Sequence, residues 1–467
     1  MADLTVETTS IPGLLVVRMP VHGDARGWFK ENWQREKMVA LGLPDFGPVQ
    51  NNISFNASRG ATRGIHTEPW DKFVSLATVR IFGAWVDMRE GESFGATFHI
   101  EVDPSIAVFV PRGVGNSYQA LEDGTAYTYL VNDHWRPGVT YPALNLRDET
   151  AAIPWPIPLD VAEISEKDRT TPRLGDVVPM KPKKTLVLGA GGQLGRAFAA
   201  ALPEADTRTR SELDLTDAEA VAGFPWQEYA VVLNAAAYTA VDAAETTEGR
   251  VAAWAANAAG PATLARLSRE HGFTLVHFSS DYVFDGTAPL DPGHLEDEPL
   301  SPLGVYAQSK AAGDVAVALA PRHYVLRTSW VIGEGTNFVR TMQSLAEKGV
   351  SPSVVDDQVG RLTFTDELGR ATRHLLDSGA AFGTYHLSNG GPAMSWREVA
   401  QAVFERSGRS ADDVSGTSST AYAAGVLAQG NPFAPRPLHS AMSLEKIRAT
   451  GFEPEDALVA LDRYLGG

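Results

Sequence analysis

The chain of 467 residues contains no cysteine. This absence excludes disulfide bonds, thiolate metal sites and a cysteine nucleophile, and it agrees with the reducing cytoplasm, where we expect the protein. The sequence also lacks an apolar run of about eighteen residues, so no membrane-spanning helix is expected. Its first residues do not combine a basic stretch with an apolar one, and we therefore expect no secretory signal.

Basic residues are fewer than acidic residues. The 40 lysines and arginines face 57 aspartates and glutamates, which gives a formal net charge of −17. A surface this acidic repels nucleic acids and anionic membranes, so neither is expected as a partner. The hydrophobic content of 44% is that of an ordinary globular protein, and the length predicts two or three domains.

The first part of the chain has the pattern of short strands. Residues 73–79, 81–86 and 106–110 are apolar runs rich in β-branched and aromatic side chains, and clusters of Gly, Pro, Asn and Asp separate such runs. Helical periodicity is confined to residues 34–41. This pattern predicts an antiparallel barrel or jelly roll.

A different pattern begins after a basic joint at 181–184. The preceding segment, residues 153–182, is rich in proline, and we expect it to be extended and irregular. From Thr185 onward, short apolar runs alternate with alanine-rich helical stretches such as 251–270. That alternation is typical of βαβ units in a doubly wound parallel sheet. We predict two domains, residues 1–180 and 184–467.

A glycine-rich turn follows the first strand of the second domain. Residues 185–188 lead into Gly189, Gly192 and Gly195, and a helix is expected to continue to about Ala201. Glycine allows the backbone to approach a pyrophosphate bound at the helix N-terminus. About twenty residues further on, Arg210 occurs where an acidic residue would bind the ribose of NAD. An arginine there can accept the extra phosphate of NADP, so we predict NADPH and leave NADH open.

Tyr306 and Lys310 are spaced to share one face of a helix. We expect the ammonium group to lower the pKa of the phenol, so that Tyr306 can protonate an alkoxide. Ser280 would donate a hydrogen bond to the same oxygen. A functionless surface pair is common at this spacing, but the preceding nucleotide-binding turn and Ser280 favour a nicotinamide-dependent reductase.

The second half resembles the dTDP-4-dehydrorhamnose reductase family of the extended short-chain dehydrogenase/reductase superfamily. The resemblance is carried by the motifs at 189–195, 234–242, 280–284, 306–310, 327–330 and 357–360. It implies a Rossmann-type domain with a small C-terminal substrate-binding lobe, and hydride transfer from NAD(P)H to C4 of dTDP-4-dehydro-L-rhamnose. It also implies cofactor contacts from Gly189, Gly192, Gln193, Leu194, Gly195, Arg210, Asp214, Leu215, Ala235, Ala236, Tyr238, Tyr306 and Lys310, and sugar-nucleotide contacts from Tyr282, Trp330 and Asn337.

The first half has its own group of reactive side chains. A carboxylate at Asp168 could orient His66 and raise its basicity, which suits a histidine that removes a proton. Tyr129 could return a proton on the opposite face of the carbon, and Lys72, with Arg63, could stabilise an enolate oxygen. The alternative is a single histidine without function. No His-x-His pair precedes a glutamate at ligand spacing, so we expect no metal.

These residues resemble the dTDP-4-dehydrorhamnose 3,5-epimerase family, through the segments 24–31, 50–54, 62–66, 110–113, 127–129, 153–156 and 165–168. The resemblance implies a cupin-like jelly roll in which His66 is the base, Asp168 its partner, Tyr129 the acid and Lys72 the enolate stabiliser. It further implies that Arg26, Phe29, Glu31, Gln50, Asn52 and Arg63 contact the substrate, with Arg26 and Phe29 coming from a neighbouring subunit of a homodimer. The interval from His66 to Lys72 is shorter than is usual in that family.

The two resemblances describe consecutive steps on one dTDP-sugar, and we predict a bifunctional enzyme that produces dTDP-L-rhamnose. One alternative is the same chemistry on another dTDP-deoxysugar, with epimerisation at a single carbon. A second alternative, motivated by the short His66–Lys72 interval, is that the first half only binds sugar nucleotide or mediates assembly.

Overall fold

The computed structural model describes residues 3–135 and 141–466. The chain forms two compact units, of which the first ends at Pro182 and the second begins at Lys183. In the described ranges no helix has both the length and the apolar character needed to cross a membrane.

The first unit consists mainly of antiparallel strands. They are β1 (Thr5–Thr8), β2 (Leu15–Arg18), β3 (His22–Asp24), β4 (Gly27–Phe29), β5 (Gln50–Asn56), β6 (Ala61–His66), β7 (Lys72–Leu76), β8 (Ile81–Asp87), β9 (Thr97–Val102), β10 (Ile106–Val110), β11 (Val114–Ala120), β12 (Thr125–Val131) and β13 (Glu163–Ile164). One sheet has the order β1-β2-β10-β7-β12-β5, and the other has the order β13-β6-β11-β8-β9. This two-sheet arrangement confirms the predicted jelly roll.

Apolar side chains from both sheets form the core of this unit. Val74 of β7 and Tyr127 of β12 pack in the same buried cluster as Trp85 of β8 and Tyr118 of β11. The rings of Tyr118 and Tyr127 stack at 4.2 Å. These side chains come from the apolar runs that predicted strands, because alternate residues of each strand point inward.

Two short helices complete the first unit. Helix α1 (Arg35–Ala40) begins after Gln34, whose side chain accepts a hydrogen bond from the amide of Lys37, and it confirms the helical pattern at 34–41. Helix α2 (Glu166–Arg169) begins after Ser165, whose side chain accepts from the amide of Asp168. The expectation that residues 153–182 are wholly irregular is therefore wrong, because a side-chain cap starts a helix within the proline-rich segment.

The second unit is an α/β domain. Its strands are β14 (Lys184–Leu188), β15 (Asp206–Arg208), β16 (Tyr229–Asn234), β17 (Thr274–Ser280), β18 (His323–Thr328), β19 (Val331–Ile332), β20 (Ser353–Val355), β21 (Val359–Gly360), β22 (Thr363–Phe364), β23 (Gly383–Leu387), β24 (Met394–Ser395) and β25 (Ser415–Thr417). Its helices are α3 (Gln193–Ala201), α4 (Ala218–Gly223), α5 (Thr247–Trp254), α6 (Gly260–His271), α7 (Val305–Val317), α8 (Phe338–Glu347), α9 (Thr365–Asp377), α10 (Trp396–Arg406), α11 (Ser419–Ala428), α12 (Glu445–Arg448) and α13 (Ala457–Gly466).

The main sheet of this unit has six parallel strands in the order β15-β14-β16-β17-β18-β23. After β14 the chain adds β15 on one side of it and then crosses over to add β16 on the other side. The direction in which strands are added therefore reverses between β14 and β16. Ligands of such sheets bind at the carboxyl ends of the strands beside this reversal. The Rossmann-type prediction is confirmed, and the reversal identifies where a cofactor would bind.

A smaller lobe with its own core follows the main sheet. Val339 of α8, Val403 of α10 and Leu461 of α13 belong to one buried cluster there. Helix α10 begins with a complete capping box formed by Ser395 and Glu398. The expected substrate-binding lobe is therefore present as a folded element.

Candidate active sites

In the first unit, the His66 side chain lies at the end of β6 beside α2. Its Nε2 atom is 2.7 Å from Oδ1 of Asp168. Asp168 is 4% exposed, whereas the His66 side chain is 37% exposed. One end of the imidazole is therefore fixed by a buried carboxylate while the ring stays accessible to a ligand.

The environment of Asp168 favours its charged form. Burial of the carboxyl group opposes ionisation, but hydrogen bonds from His66, Ser165 and the amide of Gly64, with the charge of His66, together lower the pKa of Asp168. The charged carboxylate can accept a hydrogen bond from a protonated Nε2 atom of His66. The opposite ring nitrogen, Nδ1, is then unprotonated and can act as a base.

Tyr129 and Lys72 come together on neighbouring strands of the other sheet. The Lys72 ammonium lies 5.8 Å from the centre of the Tyr129 ring and forms an ion pair with Glu68. Burial, followed by the charge of Glu68, raises the pKa of Tyr129. The phenol therefore stays protonated at neutral pH and can act as an acid.

A cavity of about 340 Å³ opens at Tyr129. The residues lining it are Gln50, Asn52, Glu68, Trp70, Tyr129, Val131 and Trp135. Gln50, Asn52 and Tyr129 are thus brought together as the sequence predicted. Arg63 lies close to them, since its charge acts on Tyr129 and its Nε atom donates to Asn56 at 2.9 Å.

The other predicted substrate residues of this unit lie on its exposed surface. Arg26 is paired with Asp24, and its side chain is 90% exposed. Phe29 is 66% exposed at the end of β4, and Glu31 pairs with Lys37 at 2.6 Å. Within a single chain, these three side chains are not among those that line the cavity at Tyr129.

Sequence reasoning missed Glu68, Trp70 and Trp135. Glu68 and Trp70 fall in the short interval between His66 and Lys72, and this compact segment was a signal that the same loop lines the site. Trp135 lies beyond the end of β12, where no motif pointed to it.

In the second unit, the glycine-rich turn has the tight geometry that a dinucleotide requires. Gly189 has a φ angle of +76°, and a Cβ atom there would lie 2.5 Å from the amide nitrogen of Ala236. A Cβ atom on Gly195 would lie 2.1 Å from the carbonyl oxygen of Gly189. Only glycine fits at these two positions, which bring the turn, the start of α3 and the end of β16 into contact.

Several of the other predicted cofactor residues lie at or beside this turn. Gly192 precedes α3, which opens with Gln193 and Leu194, and the Gln193 side chain donates to the carbonyl oxygen of Val331. Ala235 and Ala236 follow β16. Leu215 lies near Gly260, since a Cβ atom built on Gly260 would be 3.5 Å from the Leu215 side chain.

Arg210 projects just beyond β15. Its side chain is 81% exposed and pairs with Asp214 at 3.1 Å. The amides of Gly189 and Ala190 both donate to the carbonyl oxygen of Arg208, which ties the end of β15 to the glycine-rich turn. An exposed guanidinium next to this turn fits the extra phosphate of NADP.

Tyr306 and Lys310 lie on the first turns of α7, and Ser280 is the last residue of β17. Lys310 is 2% exposed, and its Nζ atom donates to the carbonyl oxygen of Phe278 at 2.5 Å. The Ser280 hydroxyl donates to Asp281 at 3.0 Å. The three predicted catalytic groups therefore meet at the carboxyl end of the sheet.

The expected lowering of the Tyr306 pKa is wrong for this structure. Burial, with the charge of Asp281, raises the pKa of Tyr306 to about 12, although a hydrogen bond with Ser280 acts in the opposite direction. Burial lowers the pKa of Lys310 to about 8. Because burial opposes both charges, the ground state is a neutral phenol beside a readily deprotonated lysine.

Of the three predicted sugar-nucleotide residues, Tyr282 lies close to the predicted catalytic residue Tyr306, and Trp330 packs against the smaller lobe. The Tyr282 ring packs edge-on to that of Tyr306 at 6.2 Å. The Trp330 ring stacks on Trp396 at 3.7 Å, and its φ of +42° is unfavourable for a bulky residue. Such strain is typical of residues whose side chains are held in place for function.

Asn337 has a different environment from the one expected. Its side-chain oxygen accepts from the amide of Arg340 at the start of α8, and its amide group donates to Tyr464 and to the carbonyl oxygen of Gly333. Both amide hydrogens are therefore used within the protein. We leave Asn337 out of the substrate site proposed below.

Two further contacts, a hydrogen bond to Tyr282 and a pair of hydrogen bonds to the backbone of Tyr238, were not predicted from the sequence. Arg436 pairs with Asp242 at 2.8 Å and forms a hydrogen bond with Tyr282. Asn257 accepts from the amide of Tyr238 at 2.8 Å and donates to its carbonyl oxygen at 3.0 Å. Asp242 was part of a recognised motif, but nothing in the sequence identified its distant partner.

Comparison with known proteins separates the same two units. A family model described as dTDP-4-dehydrorhamnose 3,5-epimerase matches residues 8–176, and one described as RmlD substrate binding domain matches residues 183–465. The chain belongs to both families. Each match covers nearly all of one compact unit.

Individual relatives show the same division. A protein named RmlC homolog from Streptococcus pyogenes serotype M6 is 47% identical over 184 residues, which are 38% of this chain and 92% of that protein. The dTDP-4-dehydrorhamnose reductase of Mycolicibacterium smegmatis is 37% identical over 279 residues, which are 58% of this chain and 81% of the relative.

A solved reductase structure is also similar to the second unit. The Bacillus anthracis dTDP-4-dehydrorhamnose reductase, determined in complex with NADP, has a TM-score of 0.54 and 31% sequence identity. The similarity covers 61% of this chain and 98% of the other.

Proposed function

We propose that the chain is a bifunctional enzyme of dTDP-L-rhamnose synthesis. Residues 1–180 epimerise dTDP-4-dehydro-6-deoxy-D-glucose at C3 and C5, and residues 184–467 reduce the C4 ketone of the product with NADPH. The observation that carries this proposal is that one chain holds two separate sites, His66–Asp168 and Tyr306–Lys310, in units that belong to the two corresponding families.

In the epimerase half, His66 removes a proton from a carbon next to the ketone. Asp168 holds the imidazole in the reactive tautomer and stabilises the positive charge that it gains. The negative charge that develops on the ketone oxygen is stabilised by the Lys72 ammonium. Tyr129 returns a proton to the opposite face of the carbon, which inverts the stereocentre.

In the reductase half, Tyr306 protonates the C4 oxygen. NADPH supplies the hydride that reduces C4 when it is bound. Ser280 donates a hydrogen bond to the same oxygen, and the charged Lys310 stabilises the phenolate that Tyr306 becomes. Because the pKa of Tyr306 is raised to about 12, the phenol begins the reaction fully protonated.

The cofactor contacts are assigned from the glycine-rich turn. A backbone that excludes a Cβ atom at Gly189 and Gly195 forms a close-fitting cradle for a pyrophosphate. Arg210 binds the extra phosphate of NADP. The contacts proposed for the rest of the dinucleotide come from Gly192, Gln193, Leu194, Asp214, Leu215, Ala235, Ala236, Tyr238 and Lys310.

The substrate contacts are assigned in the same way. Gln50 and Asn52, which line the cavity at Tyr129, and Arg63 are proposed to contact the substrate of the epimerase, and Tyr282 and Trp330 to contact the sugar nucleotide in the reductase. Arg26, Phe29 and Glu31, which lie apart from the cavity of their own chain, are proposed to reach the site of a second copy in a homodimer. We place the enzyme in the cytoplasm, where nucleotide sugars and NADPH are made.

Product analysis in heavy water tests the proposal. Purified protein is mixed with dTDP-4-keto-6-deoxyglucose and NADPH, and the expected product is dTDP-L-rhamnose with deuterium at both C3 and C5. Deuterium at only one of these carbons would favour a different dTDP-deoxysugar. The absence of any reduced sugar would contradict the reductase assignment.

Two variants separate the halves. His66→Ala is expected to abolish conversion of the D-configured ketone and to leave reduction of a supplied L-configured ketone unchanged. Tyr306→Phe is expected to allow epimerisation and to block reduction. Unchanged coupled turnover in His66→Ala would mean that the first half only binds sugar nucleotide.

A further inference from the structure

We propose that Asp314 is a positioning residue of the reductase site, and that its buried ion pair with Arg327 keeps the side chain of Lys310 charged. The inference rests on the proposed C4 reduction and assigns a role to two residues that do not contact the reacting atoms. Lys310 and Asp314 lie on α7, and Arg327 lies on the adjacent strand β18.

The spacing along α7 places Asp314 behind Lys310. Tyr306, Lys310 and Asp314 follow each other at intervals of four residues, so they lie on one face of the helix. Lys310 is 2% exposed and Asp314 is 3% exposed. Tyr306 is at the end of this series that contacts Ser280, and Asp314 is at the opposite, buried end.

Arg327 fixes the position of the carboxylate. Its Nε atom donates to Oδ2 of Asp314 at 2.9 Å, and its Nη1 atom donates to the carbonyl oxygen of Glu296 at 3.1 Å. The guanidinium also lies 5.2 Å from the centre of the Phe284 ring. The second carboxylate oxygen, Oδ1, is buried, and Ser279 of β17 also acts on this carboxylate to lower its pKa.

The charges around Lys310 act in different directions. Burial lowers the pKa of Lys310 to about 8, and the negative charge of Asp314 opposes this effect. Burial raises the pKa of Asp314, whereas Arg327 and Lys310 lower it. The nearby His277 of β17 is kept neutral by burial and by the charge of Lys310, while burial raises the pKa of Asp281 to about 7.

This arrangement explains how a lysine can remain an ammonium ion in an apolar interior. Its hydrogen bond to the carbonyl oxygen of Phe278 supplies a dipole but no countercharge. The negative charge of Asp314, one helical turn away on α7, favours the charged form of Lys310. The ion pair with Arg327 in turn favours the ionised form of Asp314, which burial opposes.

The test is the pH dependence of C4 reduction in full-length protein. Reduction of supplied dTDP-4-dehydro-L-rhamnose is followed by NADPH oxidation between about pH 6 and pH 10. In Asp314→Asn, Lys310 loses its countercharge, and the alkaline limb of kcat/KM is expected to move to lower pH by about one to two units. In Arg327→Gln, the buried Asp314 loses the partner that favours its charge, so the limb is also expected to move to lower pH.

Glu367→Gln is the matched control. Glu367 is also 3% exposed and pairs with an arginine of its own helix, Arg370, at 2.5 Å. Its substitution therefore removes a buried carboxylate from an ion pair elsewhere in the unit, and the limb is expected to stay in place. Thermal midpoints and NADPH affinities of all variants report on folding.

An unchanged alkaline limb in folded Asp314→Asn would overturn the inference, as would an unchanged limb or a shift to higher pH in folded Arg327→Gln. If Asp314→Asn does not fold, Arg327→Gln and the charge-retaining Asp314→Glu, in which the limb is expected to remain in place, decide the question. Failure of the proposed function is distinguishable, because the wild-type enzyme would then show no C4 reduction at any pH.

Discussion

His66 and Asp168 are separated by 102 positions in the chain, and their side chains meet at 2.7 Å. The contact depends on two local features: β6 ends at His66, and Ser165 starts the single-turn helix that carries Asp168. Neither feature alone creates a base. Together they attach a buried carboxylate to an accessible imidazole.

Replacement of Asp168 by asparagine should impair epimerisation. The amide keeps the size of the side chain but cannot stabilise a positively charged imidazole, so proton exchange at the sugar should slow about a hundredfold or more. The measurement is the rate of deuterium incorporation from heavy water in the absence of NADPH. Asp148→Asn is the control, because Asp148 is another buried carboxylate whose partners are backbone amides. Equal rates in the wild type and Asp168→Asn would contradict the assignment of His66 as the base.

Loss of the Tyr129 hydroxyl should separate proton removal from inversion. In Tyr129→Phe, His66 can still remove a proton and return one to the same face, so exchange should persist while epimerised product falls about a hundredfold. Tyr127→Phe is a matched control, since Tyr127 lies two residues away on β12 and its hydroxyl donates to Asn116 at 3.0 Å. Deuterium content and product configuration are measured together. Normal product formation by Tyr129→Phe would exclude this phenol as the acid.

Much of the fold follows from sequence periodicity. The apolar runs at 73–79 and 81–86 overlap β7 and β8, and the glycine-rich turn predicted the strand and helix on either side of it. These signals are local, because side-chain alternation and turn geometry depend on neighbouring residues. The short elements between 153 and 182 were missed, since the prolines there hid the cap that Ser165 forms.

The site was less completely predictable than the fold. The Tyr306–Lys310 spacing gave the correct helix face, but burial determines both pKa values, and the degree of burial depends on packing across the sheet. Glu68 was missed because its importance comes from an ion pair with Lys72 that only the folded strands create. Asn337 matched a family position, yet its amide group is occupied by contacts with distant residues.

Substitution of Gly195 by alanine should prevent cofactor binding. A Cβ atom there would lie 2.1 Å from the carbonyl oxygen of Gly189 and 2.7 Å from Cα of Ala190, so the turn would have to open. We expect NADPH affinity to fall at least about tenfold and the second unit to lose about 1–3 kcal/mol of stability. Gly223→Ala is the control, because a Cβ atom on Gly223 meets nothing within 4 Å. Fluorescence titration with NADPH checks the result, and equal affinities in the two variants would contradict it.

Removal of the Tyr306 hydroxyl should abolish reduction without loss of the cofactor. Tyr306→Phe retains the ring that packs against Tyr282, but it has no proton to give to the C4 oxygen. We expect kcat to fall about a hundredfold or more and NADPH affinity to change little. Tyr324→Phe, whose hydroxyl donates to the carbonyl oxygen of Ala380, controls for the loss of a buried phenol. Substantial turnover in Tyr306→Phe would assign the acid to another group.

The wild-type reductase should lose activity as the pH rises through about 8. Lys310, whose pKa is lowered to about 8 by burial, carries its positive charge below that pH and loses it above. Tyr306 does not set this limit, because its pKa of about 12 keeps the phenol protonated across the same range. The expected profile of kcat/KM for C4 reduction is therefore a single alkaline limb near pH 8, while epimerase exchange, which does not use Lys310, should not follow that limb. A reductase profile that stays flat to about pH 10 would show that the charge of Lys310 is not required, since the neutral amine would then support the reaction equally well.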